Sequence, residues 1–287
     1  MNKNVAIVTD STAYLPKEER ERLSIYMVPL SVIFAEKTYK EELELTTEEF
    51  YKKLEGAEQL PTTSQPSTGQ FVELFTDLKK QGYQQVVTLH LSSGISGTFQ
   101  NALTAGEMVD ELEVHGFDSE IACYALGFFV REAAQLALKG AGVSEILTRL
   151  EEIKATLKAY FMVADLGHLH RGGRLSGGQL LVGNLLKIKP ILHFVDGKIV
   201  PFEKVRTEKK AIDRILQLLD QDLRSDGRYE VTVIHAMRPE AAEQLAADIR
   251  ENYDNVVDVV ISVFGPVIGT HLGPGSLGIS WYKQAEA

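Results

Sequence analysis

Short apolar runs alternate with stretches of helical period through the first half of the chain. NVAIVTDS (residues 4–11) reads as a buried strand entering a polar turn, and IYMVPLSVIF (25–34) as a second strand with Pro29 at an edge or bulge. Thr46 with Glu49, and Ser67 with Gln70, form capping-box patterns ahead of two helices; the second carries Phe71, Leu74, Phe75 and Leu78 on one face. QVVTLHLSS (85–93) predicts a strand, and a helix is expected from about Thr98 to Leu112. EIACYA (120–125) is strand-like, with helices expected over Phe128–Lys139 and Ser144–Leu157. Strands that alternate with helices need crossovers, so this half predicts a mainly parallel sheet.

The second half has a different pattern. YFMVA (160–164) predicts a strand leading into the polar, Gly-rich LGHLHRGGRLSGGQ (166–179). KPILHFVDGKIVPFEKV (189–205) predicts a hairpin around Asp196-Gly197. A helix over Glu208–Leu223, the strand YEVTVIHA, a helix over Pro239–Tyr253 and the strand VVDVVISVF follow, and the Gly-rich tail FGPVIGTHLGPGSLGISWY ends in a strand. A hairpin within an α/β pattern points to a mixed sheet. The expected organisation is an α/β protein with an N-terminal parallel-sheet domain, residues 1–158, and a C-terminal mixed-sheet domain, residues 159–287.

Composition narrows the function classes. The chain has 287 residues, 44% of them hydrophobic, which is enough for two cores. A formal net charge of -10 argues against nucleic acid as the main partner. Cys123 is the single cysteine, so no internal disulfide can form, and a reducing, cytoplasmic location is expected. The apolar run Val5–Val8 is too short for a signal segment, and no stretch approaches the ~20 apolar residues of a membrane span.

Three polar segments rich in Gly, Ser and Thr are the candidates for chemistry: PTTSQPSTG (61–69), LSSGISGTFQ (91–100) and GPVIGTHLGPG (265–275). Ends of strands and beginnings of helices are where open α/β sheets bind ligands. Ser96 is placed like an N-cap, and for the first two segments a plain cap and tight turn is the competing reading. There is no GxxxxGK[ST], no GxGxxG between a strand and a helix, and no GxSxG elbow. Ser96, His271 and Asp10 could be assembled into a triad, but no elbow supports it. His168 and His170 lack the spacing of a zinc site. Basic residues cluster at His170, Arg171 and Arg174, and again at Lys204, Arg206, Lys209, Lys210 and Arg214. Each cluster is either a solvated face or a docking point for an acidic partner or a phosphorylated ligand.

An ordered set of motifs, running almost end to end, resembles the DegV family, bacterial fatty-acid-binding proteins that serve as the acyl-carrying subunit of a two-part fatty acid kinase. The set is VTDSTAYLP at the start, VPLSV (28–32), PTTSQPS (61–67), LSSGISGT (91–98), GGRLSG (172–177), VGNLLKIKPIL (182–192), DGKIVPFEKVRT (196–207) and THLGPGSLG (270–278). The resemblance implies a DegV-like pair of domains with a buried acyl tunnel and the carboxylate near their junction. It implies that Thr63, Ser96 and His271 contact the carboxylate, with Thr62 and Ser93 as adjacent candidates, and that Arg174 and Arg206 serve kinase docking or phosphate contact. It further implies a non-catalytic carrier without cofactor or metal. Its partners would be a long-chain fatty acid, the kinase catalytic subunit and, transiently, enzymes of membrane phospholipid synthesis. Two other readings compete: an acyl or phosphoryl hydrolase using Ser96 or His271, and a lipid-sensing regulator without a kinase partner.

The physical chemistry of the hydroxyl-rich segments agrees with the carrier reading. A carboxylate accepts hydrogen bonds from neutral donors, each worth ~1.5–3 kcal/mol net, without the desolvation that a buried Lys or Arg would add. Affinity would come from the tail, at ~0.8 kcal/mol per buried methylene, or roughly 10 kcal/mol for a dozen before ordering costs.

Overall fold

The computed structural model describes residues 5–176 and 189–285. The motif residues 182–188 lie outside the described residues. In chain order the first half contains β1 (Val5–Asp10), α1 (Lys17–Arg22), β2 (Ile25–Val28), β3 (Ser31–Phe34), β4 (Lys37–Lys40), α2 (Thr47–Glu55), β5 (Thr62–Ser64), α3 (Thr68–Lys80), β6 (Gln85–His90), α4 (Thr98–Gly106), β7 (Glu113–Asp118), α5 (Tyr124–Leu138) and α6 (Val143–Thr156). The second half contains β8 (Lys158–Met162), α7 (Gly167–Arg171), β9 (Ile191–Val195), β10 (Lys198–Glu203), α8 (Glu208–Leu223), β11 (Tyr229–His235), α9 (Pro239–Asn252), β12 (Val256–Val263), α10 (Pro266–Leu272) and β13 (Leu277–Lys283).

The N-terminal sheet has the order β2-β1-β6-β7 and is parallel throughout. The C-terminal sheet has the order β10-β9-β8-β13-β11-β12; only β11 and β12 pair in parallel, so the sheet is mixed. One core lies between the parallel sheet and α3 and α4, a second between the mixed sheet and α8 and α9. The largest lies between the inner faces of the two sheets, around α5, α6 and α10. The two cavities described below open within this central layer.

Several local expectations are met. Both capping boxes form: Thr46 caps α2 reciprocally with Glu49, and Ser67 caps α3 with Gln70. The hairpin β9–β10 turns at Asp196 (φ 48) and Gly197 (φ 72), the left-handed pair that a two-residue hairpin turn needs.

Others are corrected. IYMVPLSVIF is two strands in two sheets: β2 joins the parallel sheet, while β3 pairs antiparallel with β4 and β5 in a small third sheet. Pro29 lacks the N–H that would continue the ladder, and the chain changes sheets there. EIACYA is not a strand. The strand is the polar stretch Glu113–Asp118, an edge position that needs no apolar alternation, and EIACYA is the buried turn entering α5, with Cys123 at φ 63. The helix starting at Thr98 ends at Gly106 rather than Leu112, because the chain must turn to deliver β7. The Gly-rich stretch after β8 contains the short helix α7.

Candidate functional site

Thr63 sits on β5, opposite Val32 of β3. His271 lies in the last turn of α10, 208 residues away, and its Nε2 is 2.8 Å from Thr63 Oγ1. Strand pairing of the small sheet and the seat of α10 therefore bring two of the three polar segments into contact. The third joins through Gln65, whose Oε1 accepts a hydrogen bond from Gly97 N at 3.0 Å, while Asn101 Nδ2 donates to Pro66 O at 2.8 Å. A Cβ on Gly97 would stand 2.5 Å from that Gln65 oxygen, so a larger residue there would displace the Gln65 side chain.

Thr63, Ser96, Arg174 and His271 line one cavity, with Ser64 and Gln65 beside them. Ser96 does not cap α4. The N-cap is Gly97, with no side-chain bond, and Ser96 Oγ takes only a 3.4 Å contact from Thr98 N and a 2.9 Å bond with Thr98 Oγ1. Its hydroxyl is left near the cavity rather than spent on the helix. Arg174 is half-buried in the wall, its Nε donating to Ile95 O at 3.3 Å and its guanidinium also to Gly172 O. The site thus includes a cation, contrary to the expectation of hydroxyls alone.

Thr62, Ser93 and Arg206 fall outside this cavity and are exposed. Thr62 precedes Thr63 on a strand, so its side chain takes the opposite face. Ser93 donates its backbone N–H to Asp118 at 3.1 Å. Of the second basic cluster, Lys204, Arg206, Lys209 and Lys210 are exposed, and Arg214 is paired with Glu203 at 2.8 Å.

His271 is poised as a neutral ring. Burial, with the charges of Arg174 and His168 adding, pushes its pKa down from 6.5 to about 4. Its Nδ1 is buried without a hydrogen-bond partner among the described residues. With the proton on Nε2, the ring donates to Thr63 Oγ1 and frees the Thr63 hydroxyl proton for an acceptor in the cavity.

The polar cavity shares the side chains of Ile95, Ile199, Ile268 and Leu272 with a second, apolar cavity. That cavity runs between the sheets, against Phe161, Phe194, Phe264 and Cys123, and has a volume of about 50 Å³. At about 10–15 Å³ of such volume per water this is room for roughly three to five, yet the lining offers water almost nothing to bond. The arrangement suits an elongated apolar group with one polar end.

The triad does not form. Asp10 is buried, and its carboxylate accepts from Thr12, Leu91 N at 3.0 Å and His90 Nδ1 at 2.9 Å, while His90 Nε2 meets Thr88 at 2.6 Å. His271 bonds Thr63 rather than Ser96, so among the described residues no base bonds the serine. Among the described residues no group of three or more His, Cys, Asp or Glu could hold a metal ion, and no helix is long and apolar enough to cross a membrane. Gln65 and Glu41 are the residues the sequence reading misses. Gln65 lies within PTTSQPS, whereas Glu41 sits in the charged run KEELEL, which gives no local sign that one carboxylate turns inward.

Relatives share this fold. A DegV domain-containing protein of Halalkalibacterium halodurans is 56% identical over 280 residues, covering 98% of this chain and 99% of the relative. The crystal structure of DegV from Bacillus subtilis, described as a fatty acid binding protein, superposes with a TM-score of 0.93 at 52% identity, covering 98% of this chain and 100% of that one. A Thermus thermophilus DegV family protein, described with fatty acid binding, matches with a TM-score of 0.92 at 31% identity, covering 98% of this chain and 100% of that one. The family model described as "Uncharacterised protein, DegV family" matches residues 4–284. With the family model matched over residues 4–284 and the fold shared with solved members, this chain belongs to the DegV family.

Proposed function

We propose that this protein binds a long-chain fatty acid, with the tail in the apolar cavity and the carboxylate at Thr63, Ser96 and His271. The observation that carries this reading is the adjacency of the two cavities: a polar mouth shares four apolar side chains with an interior that suits hydrocarbon and not water. The description of close structural relatives as fatty acid binding proteins supports it. In the bound state the hydroxyls of Thr63 and Ser96 donate to the carboxylate, neutral His271 fixes the Thr63 hydroxyl, and Arg174 adds positive potential from the wall.

The same reading makes the protein a carrier rather than an enzyme. It presents the carboxylate to a separate ATP-dependent kinase subunit and carries the acyl phosphate towards phospholipid synthesis, in the cytoplasm. Neutral donors grip the head group lightly enough for either acid or acyl phosphate to occupy the site, and the tail supplies the affinity. Residues 1–158 act as one domain, contributing Thr63 and Ser96, and residues 159–287 as the other, contributing Arg174 and His271. The exposed cluster around Arg206 is the docking face in this reading.

The test is Thr63→Ala with Ser96→Ala. Lipid released from the denatured proteins is identified by mass spectrometry, alongside thermal melts. Native protein should carry a long-chain fatty acid from its host. The double variant should stay folded, and its binding should weaken by roughly 3–6 kcal/mol if the two effects add. A folded double variant with a full complement of fatty acid refutes the head-group assignment.

A further inference from the structure

Glu41 is fully buried and has no ion-pair partner among the described residues. One carboxylate oxygen accepts the Tyr14 hydroxyl at 3.0 Å and Val267 N at 2.8 Å; the other accepts the Ser11 hydroxyl. Ser11 Oγ in turn accepts from Leu30 N at 3.1 Å, Glu41 N donates to Leu30 O at 2.9 Å, and Tyr14 Oη accepts from Ile268 N at 3.3 Å. These ties end on Leu30, Val267 and Ile268, all of which line the head-group cavity. Val267 is the second residue of α10, and His271 lies four residues further, about one turn and 6 Å along the axis. On the other side, Glu41 directly follows β4, which pairs with β3, which pairs with β5 and Thr63. Glu41 therefore stands where the sheet carrying Thr63 meets the helix carrying His271.

Stability alone does not account for a carboxylate here. Burial pushes its pKa up to about 7, against the bonds from Ser11, Val267 N and Tyr14 that lower it. A well-packed neutral group would serve a passive core as well or better.

We propose that Glu41 is a positioning residue for head-group binding: it clamps the first turn of α10 to the Ser11–Tyr14 turn and Leu30, and so sets His271 in line with Thr63. The inference rests on reading this cavity as the carboxylate site. A second consequence is electrostatic. The ligand's carboxylate and ionised Glu41 are like charges at opposite ends of one short helix, so affinity falls as Glu41 ionises. The other groups facing Glu41 are Tyr14, Tyr51 and Cys123, all shifted upward by burial and thus neutral near pH 7, with Glu42 tied to Arg20 and Asp10 tied to His90. His271, Arg174 and His168 stand around the far end of α10, and they are common to the native protein and the variants, so comparison cancels them.

The experiment uses delipidated full-length protein, Glu41→Gln and Glu41→Ala, with hexadecanoic acid as the probe and ring signals of His271 read by NMR without lipid. Glu41→Gln, which keeps the shape and can bond Ser11, should bind within about threefold of native protein at pH 6. Native affinity should fall about three- to tenfold from pH 6 to 8, while the Gln variant stays flat. Folded Glu41→Ala should lose at least about tenfold in affinity and shift the His271 signal, because the helix is no longer clamped. Unchanged affinity and an unchanged His271 signal in folded Glu41→Ala overturn the proposal, as do superimposed pH profiles of native and Gln proteins. If the Ala variant does not fold, the pH comparison decides. If native protein takes up no hexadecanoate, the fatty-acid reading fails by itself. The lipid-free His271 signal then decides: a response between pH 6 and 8 in native protein that vanishes in Glu41→Gln supports the positioning role, and identical responses overturn it.

Discussion

Gly172→Ala is the sharpest probe of the head-group geometry, because it touches the site from behind without removing a polar group. Gly172 has φ -70, which alanine adopts freely, so the backbone is not strained by the change. The added Cβ would stand 2.4 Å from His271 Nδ1 and 3.1 Å from His168 O. An ordinary contact is about 3.5 Å, so the imidazole must move by roughly 1 Å. It cannot do so and keep its 2.8 Å bond to Thr63: the ring either swings out of line or closes onto the hydroxyl. Overpacking of this kind costs about 1–3 kcal/mol of stability, a fall of roughly 2–10 °C in Tm for a protein of this size. Loss of one oriented donor to a charged head group adds ~1.5–3 kcal/mol to binding, or about a 10- to 150-fold rise in Kd. Trp281 offers the assay. It is the single tryptophan, is buried, and lies with its ring centroid 5.6 Å from that of Tyr160, a residue bordering the apolar cavity. Titration of delipidated protein with hexadecanoic acid, followed by Trp281 fluorescence, gives the Kd, and circular dichroism gives the Tm. A folded Gly172→Ala variant that binds within about threefold of native protein refutes the claim that His271 and Thr63 act as one unit.

Arg174→Ala should weaken fatty acid binding several-fold, since the guanidinium lines the same cavity as Thr63. Arg206→Ala should leave binding unchanged and slow phosphorylation by a kinase subunit at low salt; equal binding losses in the two variants, by the same titration, would contradict this division. His271 lowers stability on acidification. Its folded-state pKa is depressed from 6.5 to about 4, so the unfolded chain binds more protons between these values, and its contribution, complete above pH 6.5, is lost as pH falls to 4. Thermal melts of His271→Asn between pH 4 and 7 should show a shallower acid limb than native protein, and parallel limbs would argue against a buried neutral ring.

Local sequence determined what local physics controls. Two capping boxes, a hairpin turn at Asp196-Gly197 and the alternation of strands with helices were legible because each depends on residues a few positions apart. The resemblance to the family implied Thr63, Ser96 and His271 as a set. Tertiary structure decided the rest. Pro29 marked a break in IYMVPLSVIF, but only the pairing of β3 with β5 shows that the chain changes sheets there and thereby carries Thr63 to the site. EIACYA looked like a strand because it is apolar, and it is apolar because it borders the central layer and its cavity. Thr62 and Thr63 are the same residue type in the same motif; strand alternation turns one outward and one to the cavity. Arg174 and Arg206 are both basic loop residues by sequence, yet packing places the first in the cavity wall and leaves the second in water. Glu41 is one acidic residue in a charged run, and only the meeting of a β-strand with the first turn of α10 makes it the carboxylate that holds them together. Hydrogen bonds across 208 and 226 residues cannot be written in a local pattern, because they exist only once sheet register and helix packing have fixed both partners.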